Sequence, residues 1–318
     1  MIGRFFLPEA PAARLGLLRL GLGAYVLQDL IRVRRPVIAL ADGDPSLWDP
    51  VGVTTLLSGP LDHATWAFTH DLTLVVGVLF TLGAFWRVTG PLFAGLLLFV
   101  WTYRVSWQMI YHVHHLTMLH VLVVAMAPAA AAVSVDAAFG GRWRWLTSAP
   151  AGRGTSWQYG WPIQLVCIVT TLCYMLAGVA KIQLSGWESW AGGQNLLDQV
   201  AYDGVYKAVL GPEKDAPPEL IGFAYRHPWI LAPMATGALV LEAFAPVALL
   251  HRRIGQAWSI GAVGMHWGIH AFMNLVFPYP ISGMAFLSFF PLEKLLPRAW
   301  REEPQAAPEE AEEGGEAA

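Results

Sequence analysis

The sequence predicts an all-α fold, a polytopic transmembrane bundle of about eight helices. Two observations carry that expectation. Of 318 residues, 55% are hydrophobic and only 14% are charged, against about 25% charged in an ordinary soluble domain. The apolar residues also arrive in blocks of roughly 16–24, the length that crosses a bilayer as a helix.

The first block, 15–31, follows a segment, 1–11, with neither an apolar core nor a cleavage site, so it is expected to remain as a helix rather than be removed as a signal. Blocks 72–86, 90–107, 115–135 and 161–181 come next, then 229–250, 256–277 and 281–296. The second and last are short, which suits tilted or re-entrant segments. Two longer polar stretches, 32–71 and 183–228, carry Pro, Gly and Asp but lack the strand pattern of a separate domain. One membrane domain, 12–300, is therefore expected. The tail, 301–318, mixes Glu302, Glu303, Glu309 and further acids with Ala, Pro and Gly, and cannot bury a core. Cys167 and Cys173, six apart in one predicted helix, lie about 600° apart around its axis, on different faces.

Loop charges set the orientation, because basic residues stay on the cytoplasmic side. Arg4, Arg14, Arg87, Arg142, Arg144, Arg153, Arg252, Arg253, Lys294, Arg298 and Arg301 fall on one side if eight blocks cross. Both termini are then cytoplasmic in a multi-pass protein of the cell membrane. Arg32, Arg34 and Arg35 break the pattern. The net charge of −3 reflects the acidic tail. Lipid is the expected surroundings, and no nucleic-acid partner is expected.

Against this apolar background, ionisable groups stand out as candidate functional residues. Lys181 ends the fifth block, at the outer side in this orientation. His112, His114, His115, His120, His266 and His270 fall at similar depth, and Glu242 is the lone acid inside the sixth block. Arg104 and Trp187 also lie toward the outer end; Arg104 suits either a headgroup anchor or a partner for Glu242. Each has a plainer role open to it. Lys181 could snorkel to headgroups, and interfacial histidines and tryptophans often form a belt. His266 and His270, four apart, share a helix face with metal-ligand spacing, but no HExxH motif, carboxylate or thiolate completes a set, so no metal is expected.

The residues Ala177-Gly-Val-Ala-Lys-Ile, followed by Gly186-Trp-Glu-Ser-Trp, resemble the signature of the HTTM domain, the membrane core shared with vitamin K-dependent gamma-carboxylase. Arg19-Leu-Gly-Leu-Gly with Asp29, His115-Leu-Thr-Met-Leu, Glu242-Ala-Phe-Ala-Pro246 and Phe272-Met-Asn274 extend the resemblance over about residues 12–296. The resemblance implies a reduced quinone as cofactor, with Lys181 as the base that deprotonates it and His115 assisting nearby. His266, His270, Glu242, Trp187 and Arg104 are expected around the quinol on local grounds. The carboxylase carries a large lumenal region that this chain lacks, so a secreted or membrane protein partner is a further expectation. Two other function classes stay open: a non-catalytic membrane module that anchors or matures a secreted partner, and a carrier using Glu242 and the histidines.

Overall fold

A computed structural model describes residues 2–108, 112–139, 145–147, 154–210 and 220–297. The acidic tail and five of the orienting arginines, Arg142, Arg144, Arg153, Arg298 and Arg301, lie outside the described residues. The fold is all-α, with thirteen α-helices among the described residues. The β structure described is a two-residue bridge, Ala10–Pro11 with Thr155–Ser156.

A short α1 (Ile2–Phe6) leads through Pro11 into α2 (Ala12–Ile38), which turns back into α3 (His63–Leu82). Arg34 of α2 grips Asp71 of α3 at 2.6 and 2.8 Å, closing this hairpin. Asp62 caps α3 by accepting from the Thr65 amide at 3.1 Å. Hydrogen bonds from Thr65 hold the Asp62 carboxyl below the usual carboxylate range. Gly83 ends α3 at φ 64, a left-handed conformation that glycine adopts without strain.

α4 (Trp86–Val105) starts under a cap from a distant residue. The Asp136 carboxylate, on α6 (Val135–Phe139), accepts from the backbone of Phe85 at 2.8 Å and Trp86 at 2.9 Å. α5 (His115–Ala125) stops well short of the expected end at 135. Pro128 is the cause, because it has no N–H to continue the ladder and its ring crowds the carbonyl four residues earlier. The freed carbonyls find side chains instead. Trp86 Nε1 donates to Ala127 O at 2.7 Å. Arg19, fully buried on α2, donates to Ala129 O at 2.7 Å, Val133 O at 2.5 Å and Thr81 O at 3.3 Å.

The longest helix, α7 (Trp157–Ser185), is followed by α8 (Trp187–Ala191), α9 (Gln194–Leu210) and α10 (Leu220–Arg226). The stretch 183–228 thus folds largely as helix rather than as loop. Val200 of α9 and Ile221 of α10 pack on Met273 in a small cluster of their own. α11 (Leu231–Ala243) gives way before Pro246 to a 3-10 turn, Ala245–Leu249. α12 (Arg252–Met273) and α13 (Pro278–Ile281) come last. The expected helix over 281–296 is instead two 3-10 pieces, Met284–Phe289 and Leu292–Leu295, with Gly283 at φ 79 before them and Pro291 between them.

Among the described residues three helices, α3, α4 and α7, are long and apolar enough to cross a membrane, with mean hydropathy of 1.4, 1.4 and 2.0 over their best windows. They fit a membrane protein.

Replacing Arg19 with Leu orphans two buried carbonyls and one part-buried one, each buried loss costing about 1–3 kcal/mol. The expected result is a lowered thermal midpoint in detergent, with Arg19→Lys losing much of the same stability because one ammonium cannot span three acceptors. A midpoint unchanged in Arg19→Leu would remove the fork from the account of the fold.

Candidate functional site

Residues 174, 177, 178 and 181 follow the i, i+3, i+4, i+7 spacing and share one stripe of α7. That stripe meets the end of α11. Gly178 makes the approach possible: a Cβ there would lie 2.5 Å from the Ala243 amide nitrogen, inside any allowed contact. With the backbones this close, Lys181 Nζ reaches both oxygens of Glu242, at 2.6 and 2.5 Å. The Glu242 side chain is 8% exposed and that of Lys181 28%. Lys181 Nζ also lies 5.0 Å from the ring centre of Trp190 on α8, a cation–π arrangement.

A second polar pair stands one helix over. Tyr174 OH and His266 Nε2, from α7 and α12, are 2.6 Å apart and buried. Trp258 packs edge-on against Tyr174 at 5.3 Å and is fixed by its own bond to Leu241 O at 2.9 Å. Both pairs line a cavity of about 490 Å³, whose other polar groups are His112, His115 and the side of Tyr279. Apolar side chains, Leu116, Ile269 and Phe277 among them, supply much of the remaining wall.

Lys181, Glu242, His115 and His266 are therefore brought together, as the sequence led one to expect. Three candidates are not on this wall. Trp187, half exposed, opens α8 outside the lining. His270 lies one turn beyond His266 and packs near Trp267 rather than into the cavity. Arg104 donates to His114 Nε2 at 3.0 Å, and Glu242, one of the two partners considered for it, is held by Lys181. His120 also moves from the expected rim into the core. Its ring nitrogens engage Tyr279 OH at 2.7 Å and Thr170 Oγ1 at 3.0 Å, so neither is open to a ligand.

The two tyrosines were not legible beforehand. Each sits in an apolar run where a tyrosine ordinarily serves as a belt residue; each acquires its role from a histidine on a distant helix. The surroundings of the expected base include a carboxylate: Lys181 faces both oxygens of Glu242 rather than standing alone in an apolar slot.

Cys167 and Cys173 are both free thiols; Cys173 reaches the cavity wall. No group of three or more His, Cys, Asp or Glu among the described residues could hold a metal ion. No family model, curated protein or solved structure matches the chain.

Removing one partner of a part-buried ion pair strands the other charge, at about 3–5 kcal/mol, whereas exchanging both for apolar residues is often close to neutral. Thermal unfolding should therefore rank Glu242→Ala as the least stable variant and the Lys181→Met/Glu242→Met double variant as closer to the parent. Additive losses in the double variant would mean that the two side chains are not coupled.

Proposed function

We propose that the protein is a multi-pass membrane enzyme of the HTTM type, related to the helical core of gamma-carboxylase, and that its cavity takes a reduced quinone. The observation that carries this reading is the Lys181–Glu242 ion pair set in the wall of a largely apolar, aromatic cavity. Ionisable groups at such a place are expensive and call for a use. The residues fit a quinol. Apolar walls suit its ring, and His266 Nδ1 is buried without a partner among the described residues, leaving a polar atom on that wall for a ligand oxygen.

A bound quinol supplies an acidic hydroxyl and an oxidisable ring. What this chain supplies is proton handling. Glu242, as the carboxylate, accepts the proton of a hydroxyl set against it. Lys181 stays as the cation beside the negative charge left behind. Alternatively the proton passes first from Lys181 to Glu242, a single step across the short contact, and the freed amine becomes the base. Both routes use the pair as one unit. Tyr174 and His266 position the opposite oxygen, and His115 lines the cavity from the first turn of α5.

A multi-pass topology with both ends cytoplasmic completes the proposal. In support, the N-terminal segment, the start of α7, the turn before α12 and the 289–293 segment gather at one end. Arg14 pairs with Glu293 at 2.7 Å, Ala10–Pro11 pairs with Thr155–Ser156, and Gln256 Nε2 donates to Phe289 O at 3.3 Å. Arg14 and Arg252 line one pocket at that end beside Glu293, with Arg253 and Lys294 next to them in sequence, as cytoplasmic basic residues gather. α9 exposes Tyr202, Val205, Tyr206 and Val209 along one stripe, the pattern of a helix lying in the membrane interface.

Purified protein in lipid nanodiscs should quench its tryptophan fluorescence on addition of a short-chain naphthoquinol, with Trp190 beside Lys181 among the reporters. Lys181→Met and Glu242→Gln should weaken that binding at least about tenfold, the scale of one charge-assisted hydrogen bond. Equal binding by the parent and both variants would sink the assignment. For topology, a fluorescent reporter that matures only in the cytoplasm should light up when fused after residue 297 and stay dark after residue 200. The reverse pattern would invert the orientation.

A further inference from the structure

A second cavity, of about 450 Å³, lies between α2 and the segment 276–284. It is separate from the first, and the ring pair Tyr25–Tyr279, 4.8 Å between centres, stands between them. On α2 its polar groups sit toward the helix end, at Gln28, Asp29 and Arg32, and its apolar wall lies deeper, at Gly21 and Ala24. The facing segment adds Ile281 and Met284, with the hydroxyl of Ser282 between them. From 21 to 32 the helix rises about 16 Å, so the α2 wall runs from greasy to polar along one direction.

Asp29 is the unusual group. Its side chain is 6% exposed, yet only Oδ1 is satisfied, by Arg32 Nη2 at 2.9 Å. Oδ2 has no hydrogen bond. The nearest nitrogen across from it, His114 Nε2, is 3.7 Å away and already committed: Arg104 Nη1 lies 3.0 Å from it. A guanidinium only donates, so Nε2 must accept there and has no proton to offer Asp29. A buried carboxylate oxygen without a donor is costly and demands one from outside the chain. Oδ2 is closed to water as it stands, but Asp29 borders the cavity, and aspartate χ2 is a broad torsion that lets the carboxylate turn to meet a donor entering there.

We propose that this cavity holds one phospholipid with a phosphoethanolamine head. The primary ammonium donates to Asp29, the phosphate meets the guanidinium of Arg32, whose side chain is 64% exposed, and an acyl chain follows the Gly21–Ala24 face. The Asp29–Arg32 pair is neutral overall, which matches a zwitterion better than an anionic head. A choline head fails because its quaternary nitrogen carries no N–H.

The test is native mass spectrometry of the full chain released from nanodiscs of mixed phosphatidylcholine, phosphatidylethanolamine and phosphatidylglycerol. One phosphatidylethanolamine per chain should survive activation that strips the others, enriched about tenfold over its share of the bilayer. Asp29→Asn should abolish the enrichment. Ala24→Trp, an exposed change that plugs the apolar part without touching a buried group, should do the same in a normally folded protein. Retention without headgroup preference, a preference for phosphatidylglycerol, or enrichment that survives Ala24→Trp would each overturn the proposal.

Discussion

The fold depends on where the carbonyls around Pro128 go. In an apolar surrounding every backbone polar group needs a partner inside the protein, and a proline in the fourth apolar block removes the helical one. Arg19 answers this from another helix, reaching Thr81, Ala129 and Val133 with one guanidinium. The fork geometry matters as much as the charge, because three acceptors on two segments need donors at fixed angles. Space is cleared for it at Gly83, where a Cβ would come within 2.4 Å of Nη1. The same end of the bundle is tied once more by Asp136, which caps α4. A hydropathy reading sees only apolar length here; it cannot see a helix that stops and is repaired by a side chain more than a hundred residues away.

The candidate site was partly legible for a physical reason. Lys181 and Glu242 are conspicuous in the sequence because charge in an apolar run is rare, and rarity is a property of each residue alone. Their pairing is not, since it depends on α7 and α11 meeting at Gly178, a contact between segments 61 residues apart. His115 and His266 were found by the same rarity. Trp187, His270 and Arg104 share that signal but point elsewhere, because depth in a membrane fixes height and not direction around a helix. His270 is the clearest case: it shares a helix face with His266 by spacing, yet the cavity wall passes through Ile269 and Phe277 and leaves it aside. Composition and block length, by contrast, made the all-α class plain, since 55% hydrophobic residues in helix-length runs leave few alternatives.

The segments read as helices but found in shorter pieces share a cause. Pro128, Pro246 and Pro291 each fall inside an apolar block, and Gly283 adds a left-handed turn to the last one. Apolar content reports what the surroundings are; proline and glycine report what the backbone can do there. The second kind of information was present in the sequence at all four positions. The reverse error occurred in 183–228, where Gly and Asp suggested a loop but α9 formed, because Val200 finds Ile221 and Met273 to pack against.

Several polar groups of the cavity region are held by partners on different helices: Lys181 by Glu242, Tyr174 by His266, His120 by Tyr279 and Thr170. Such an arrangement differs from a site built on one loop. The bonds run α7 to α11, α7 to α12, α5 to α13 and α5 to α7, so these five helices cannot shift independently without breaking a short bond in a poorly hydrated place. Low local dielectric strengthens each of these bonds and raises the cost of losing one. The result is a polar seam inside an otherwise apolar bundle, in which Nδ1 of His266 is buried without a partner among the described residues. The proposed role asks for a proton moved while the helices that hold the seam stay in place.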